Sequence, residues 1–210
     1  MDPVVLVVGA VAEAGAWFLV TRRRRNIWTT ITPVLAALGA AAVLAGSVEL
    51  SPRVAAGAAA AAGMGAGVVL YLATRAFVFV VRGWTGFRQH SIRLYLRQGG
   101  LPFGAALLLS VGVSAVGEEL FWRGLFQPAL VRGVDDRALG SLLAYLAYVA
   151  VNLPSANFAV VAGALVGGAV WAALGFWTGG MLSSLCCHAV WTGLMLGFPV
   201  VRRADLGTRP

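Results

Sequence analysis

A chain of 210 residues that is 60% hydrophobic and only 11% charged, with a mean hydropathy of +0.84, is excluded from the soluble globular class, where about 45–50% apolar and about 25% charged is usual. Its net charge of +8 comes from sixteen arginines, with no lysine, against eight carboxylates. The arginines gather at the ends of apolar segments, which argues for charges that orient membrane helices and against a nucleic-acid surface.

Segments of about 20 apolar residues predict spans at 3–20, 28–48, 54–82, 101–124, 136–153, 157–177 and 180–200. The fold class expected is therefore all-α, a polytopic membrane helix bundle of about seven transmembrane helices plus one interfacial amphipathic helix. The first span has no basic region before it and Arg22–Arg25 after it, which reads as a retained span and not as a cleavable leader. Arginine clusters after span one, between spans three and four, and after the last span (Arg202, Arg203 and Arg209) fall on one side of a seven-span chain. The positive-inside rule then puts the N-terminus outside and the C-terminus in the cytoplasm.

Trp84 to Gln98 alternates apolar side chains with arginines at helical spacing. It predicts an interfacial helix with Trp84, Phe87, Leu94 and Tyr95 on acyl chains, and a substrate gate is the sharper alternative. His90 in this segment reads as a solvated interfacial histidine. Small-residue stripes at Gly57-Ala61-Gly65 and Gly163-Gly167 predict close helix packing. Cys186 and Cys187 are neighbours on a helix, point about 100° apart, and read as packing residues rather than a disulfide. The chain divides into N-terminal helices (1–100), a core (101–200) and a cytoplasmic tail (201–210).

The chemistry concentrates in Gly117-Glu118-Glu119-Leu120-Phe121-Trp122-Arg123-Gly124. Each charged side chain near a bilayer centre costs about 2.5–3.5 kcal/mol on insertion scales, so intramembrane ionisable residues point to function. Glu119 and Arg123, at i and i+4, share a helix face and can pair. Glu118 points about 100° away and is free to face a cavity, where a desolvated carboxylate suits a general base. His188 is the histidine set deep in an apolar segment, with Thr192 one turn on. Asn152 closes span five before Pro154 and can donate a hydrogen bond to an oxyanion or cap its helix.

In these residues the chain resembles the CPBP family of intramembrane endopeptidases, which includes type II CAAX prenyl proteases and Abi-type bacteriocin-processing or immunity proteins. Glu118, Glu119 and Arg123 match its Glu-Glu-xxx-Arg motif. Tyr148 and Asn152 stand where the family has Phe-xxx-His, and His188 and Thr192 where it has His-xxx-Asn. The resemblance covers about Leu101 to Pro199. It implies that Glu118 activates water, that Glu119 and Arg123 support it, and that His188 orients water or substrate.

The function expected is peptide-bond hydrolysis by a membrane-embedded endopeptidase, with Glu118, Glu119, Arg123, Asn152 and His188 as the catalytic set. The substrate expected is a membrane peptide that is lipidated or carries a leader, in a bacterial plasma membrane. No cofactor is expected, and a divalent metal is the less favoured option, because one histidine remains where a zinc site would use two. Asn152 in place of histidine raises the other reading, an impaired family member serving as a membrane scaffold or bacteriocin-immunity protein. A transporter with an intramembrane ion pair fits less well, since no inverted repeat is present.

Overall fold

The computed structural model describes residues 3–46 and 48–201. The tail arginines Arg202, Arg203 and Arg209, and with them almost all of the expected tail, lie outside the described residues. Among the described residues eight helices follow one another: α1 (Pro3–Thr21), α2 (Ile27–Leu44), α3 (Ala56–Val80), α4 (Thr85–Leu96), α5 (Phe103–Val134), α6 (Arg137–Asn152), α7 (Phe158–Thr178) and α8 (Leu182–Gly197). There is no strand among the described residues.

Among the described residues six helical segments are long and apolar enough to cross a bilayer, which makes the chain an integral membrane protein. The seventh expected span, α8, has only 16 residues. At 1.5 Å per residue it is about 24 Å long, short of the ~30 Å hydrocarbon core. It is nevertheless central, because α3 lies along it at close range. The stripe that permits this is Ala59-Gly63-Gly67, and a Cβ on Gly67 would lie 2.6 Å from the Cys187 carbonyl. The expected stripe Gly57-Ala61-Gly65 is on the other face, and nothing lies within 4 Å of a Cβ on Gly57 or Gly65. Small residues repeat on both faces of α3, so their spacing alone does not select the packed one.

The helix ends follow local chemistry. Asn26, Asp136 and Asn157 cap α2, α6 and α7 with side-chain oxygens that accept backbone N–H groups. Gly179 ends α7 in the left-handed conformation at φ 75°, where a Cβ would be strained. The fourth expected span ended at 124, but α5 continues unbroken to Val134. Gln127 explains the extension. It is buried and donates to Ser141 Oγ on α6 (2.9 Å) and to the Ala172 carbonyl on α7 (3.2 Å), so the added turns are held inside the bundle.

α4 is the predicted short amphipathic helix, but its apolar face turns inward. Phe87 is buried, packs edge-on against Phe77 at 5.3 Å, and with Leu94 and Tyr95 faces the interior of the bundle. The Tyr95 hydroxyl donates to the Met195 carbonyl at 3.0 Å. Only Trp84 of the four expected lipid-facing residues is largely exposed. His90 is likewise docked and not merely solvated: its Nδ1 accepts the Phe158 N–H at 3.0 Å, and its ring packs at a tilt against Phe158, centroids 4.8 Å apart. α4 thus covers the bundle at one membrane surface and helps cap α7.

Candidate active site

The Glu-Glu pair sits where α5 changes its winding. π-helical turns at Leu108–Ala115 and Trp122–Phe126 flank the α-helical turn Val116–Phe121. Such wide turns are rare and are commonly found at functional sites, because they re-aim side chains. Gly117 brings α2 against this turn: a Cβ on Gly39 would lie 2.7 Å from the Gly117 Cα. The carboxylates are therefore built into the centre of the bundle.

Glu119 is fully buried. Its Oε1 receives Arg123 Nη1 at 3.3 Å and faces His188 Nδ1 at 3.0 Å. The predicted i,i+4 pair thus forms, and the imidazole joins it from α8. Arg123 also lies 4.6 Å from the centre of the Tyr148 ring and 5.5 Å from that of Trp171. A guanidinium held between aromatic faces and a carboxylate keeps attractive partners in place of water. Trp171 stacks on His188 with ring centroids 3.9 Å apart, fixing the imidazole plane.

Glu118 faces elsewhere, as the helical geometry predicts. It lines an interior cavity of about 500 Å³, together with Tyr148, Asn152, His188 and Thr192. The Tyr148 hydroxyl donates a hydrogen bond to Glu118 Oε1. The direct carboxylate partner of His188 is Glu119, whereas Glu118 and His188 meet only as walls of this one cavity. Most of the remaining wall is apolar, from α2, α3, α4 and α7, and it includes Phe77 and Val166, which are exposed on the outside of the bundle.

Asn152 is buried, lines the cavity, and donates one amide proton to the Tyr148 carbonyl at 2.9 Å. It caps its own helix and still borders the site. Thr192 shares the cavity wall, and Trp191 donates to Thr74 Oγ1 at 3.1 Å, tying α8 to α3. The glycines 163 and 167 do not mediate backbone contact. They leave room for the rings of Trp191 and Trp171, at 3.9 Å and 3.0 Å from their would-be Cβ atoms.

Two groups here were not singled out from the sequence. Glu13 on α1 is fully buried and accepts Trp122 Nε1–H at 2.7 Å, while its other oxygen has no partner. A lone carboxylate in an otherwise apolar span carries the same signal as the pair on α5. The Tyr148 hydroxyl is the other. As a replacement for phenylalanine it looks like an unchanged ring, and only its reach to Glu118 shows what the hydroxyl adds. Among the described residues no three His, Cys, Asp or Glu side chains are grouped so as to hold a metal ion.

The fold and this site define a polytopic membrane protein with two buried adjacent carboxylates, one held by an arginine and a histidine and the other lining a cavity. Residues 100–194, a little under half of the chain, match the family described as type II CAAX prenyl endopeptidase Rce1-like. That match supports membership of the CPBP family and, at family level, a CAAX-protease type of intramembrane endopeptidase. No curated protein and no solved structure matches the chain.

Proposed function

We propose that the chain hydrolyses peptide bonds with a water molecule activated by Glu118 in the interior cavity. The observation that carries this reading is the division of labour between the two carboxylates. Glu119 is enclosed and engaged by Arg123 and His188, while Glu118 borders the open space. A base must reach the proton that it removes, and Glu118 is the carboxylate of the pair that lines the cavity.

In this mechanism the Glu118 carboxylate takes a proton from water as the oxygen attacks the scissile carbonyl. The same proton then passes to the leaving amine as the C–N bond breaks. With a carboxylate at its Nδ1, the neutral His188 ring donates there, which leaves the Nε2 lone pair to accept a hydrogen bond from the water. Asn152 has a second amide proton beyond the one given to Tyr148, suited to the developing oxyanion. The step runs without a metal. The donors near Glu118 support this: Glu119 is engaged by Arg123 and His188, and one imidazole does not make a three-ligand site.

The substrate class is a membrane-associated peptide, lipidated or carrying a leader. The apolar lining and the exposed rim residues Phe77 and Val166 favour lateral access from lipid between α3 and α7. The arginines near the ends of α1 and α4 favour a cytoplasmic position for that end of the bundle in a bacterial-type plasma membrane.

The scaffold or immunity reading draws on Asn152, which cannot carry a proton at neutral pH. Tyr148 favours the enzyme instead. The chain departs from the resembled Phe-xxx-His at both positions, and its added hydroxyl bonds to Glu118. Purified protein in proteoliposomes, incubated with membrane-inserting peptides and assayed for new termini by mass spectrometry, separates the two. Cleavage by the wild type, lowered at least tenfold in Tyr148→Phe, supports the enzyme. An inert wild type that becomes active as Asn152→His supports the scaffold.

A further inference from the structure

A second cavity, of about 350 Å³, lies on the far side of α4 from the catalytic one, and Leu94 lines both. Its walls come from three parts of the chain: Arg22 and Arg24 of the α1–α2 turn, Arg93 of α4 with Arg97 just past its end, and the α6–α7 turn at Ser155–Asn157. These walls are fastened to one another. Thr21 Oγ1 donates to the Ser155 carbonyl at 2.7 Å, Asn157 Nδ2 to the His90 carbonyl at 3.3 Å, and the Ile27 N–H to the Arg97 carbonyl at 3.2 Å.

Four arginines therefore line one cleft, and none has an ion-pair partner among the described residues. The His90 side chain registers their field. It is harder to protonate than an ordinary histidine, first because of its burial and then because of Arg93 and Arg22. Arg24 adds to the picture, since it occupies the left-handed region at φ 58° where glycine would be unstrained. A non-glycine kept in such a conformation places its side chain at a conformational cost.

We propose that this cleft binds the phosphate of an anionic phospholipid headgroup. Guanidinium groups match phosphate oxygens in pairs, and basic pockets between membrane helices at the interface recognise anionic headgroups. The amphiphile is favoured over a free anion by the surroundings. Phe18 and Leu19 on α1 and Leu153 just after α6 are exposed apolar side chains about one turn or less along the chain from the cleft residues. A headgroup seated there would offset part of the charge of the four arginines and hold α4, whose other face covers the catalytic cavity.

The test is native mass spectrometry of the purified full chain in detergent, with phosphatidylglycerol or phosphatidylcholine added at equal concentration. The wild type should retain one phosphatidylglycerol with at least a tenfold preference. Arg93→Gln/Arg97→Gln and Arg22→Gln/Arg24→Gln, on opposite walls, should each lose that preference, while Arg132→Gln at the other end of the bundle keeps it. Circular dichroism checks that each variant is folded, and either wall's variant suffices if the other fails. Equal retention of both lipids, or preference unchanged in a folded cleft variant, overturns the proposal. Inorganic phosphate that competes away phosphatidylglycerol at equal concentration assigns the cleft to a free anion and also overturns it.

Discussion

His188 Nδ1 lies 3.0 Å from Glu119 Oε1, the same oxygen that receives Arg123 at 3.3 Å. One buried carboxylate thus holds the imidazole of α8 and the guanidinium of α5 together, and leaves its neighbour Glu118 to the cavity. The two adjacent glutamates should therefore fail differently. Glu119→Gln leaves Arg123 buried without its counter-charge, and breaking a buried pair in this way costs about 3–5 kcal/mol. Thermal unfolding in detergent should show a large loss for Glu119→Gln and a small one for Glu118→Gln.

Glu13 predicts a similar contrast on α1. Glu13→Gln keeps an acceptor for the Trp122 indole, whereas Glu13→Leu leaves that buried N–H unpaired. The leucine variant should be less stable than the glutamine variant by about 1–3 kcal/mol, measured by denaturation in mixed micelles.

Close approach of α2 to the motif turn makes Gly117 intolerant of a side chain. Its Cβ would meet the Leu35 backbone, which cannot move aside like a flexible side chain. Gly117→Ala should destabilise the fold by about 1–3 kcal/mol and lower activity by displacing both glutamates. Gly65→Ala, on the open face of α3, should change neither.

His90 sets a pH dependence at the membrane surface. Burial, with Arg93 and Arg22, holds its pKa below the usual 6.5 in the folded chain, and its Nδ1 must be unprotonated to accept the Phe158 N–H. The unfolded chain then binds this proton more readily, so stability rises with pH across the window below 6.5. Stability present above that value should fall as pH drops through the depressed pKa, with faster amide exchange at the start of α7. His90→Asn should flatten this dependence.

Much of this architecture was legible because membranes penalise charge. The spans, the Glu-Glu pair and the Glu119–Arg123 contact follow from apolar length and helical spacing. The partner of His188 did not, because both glutamates of the pair were open to an imidazole from another helix and only packing chose between them. The inward face of α4 was misread for a related reason: Phe87, Leu94 and Tyr95 suit lipid and an apolar cavity equally well. Glu13 shows that a single carboxylate was as informative as a pair.

The most direct measurement is the initial rate of peptide hydrolysis by purified Glu118→Gln in proteoliposomes, beside the wild type, with folding matched by thermal unfolding. Loss of a general base lowers rates by about 10²–10⁴-fold, and that is the loss predicted for this variant. A folded Glu118→Gln protein that cleaves within about threefold of the wild-type rate, well inside that range, would contradict water activation by Glu118.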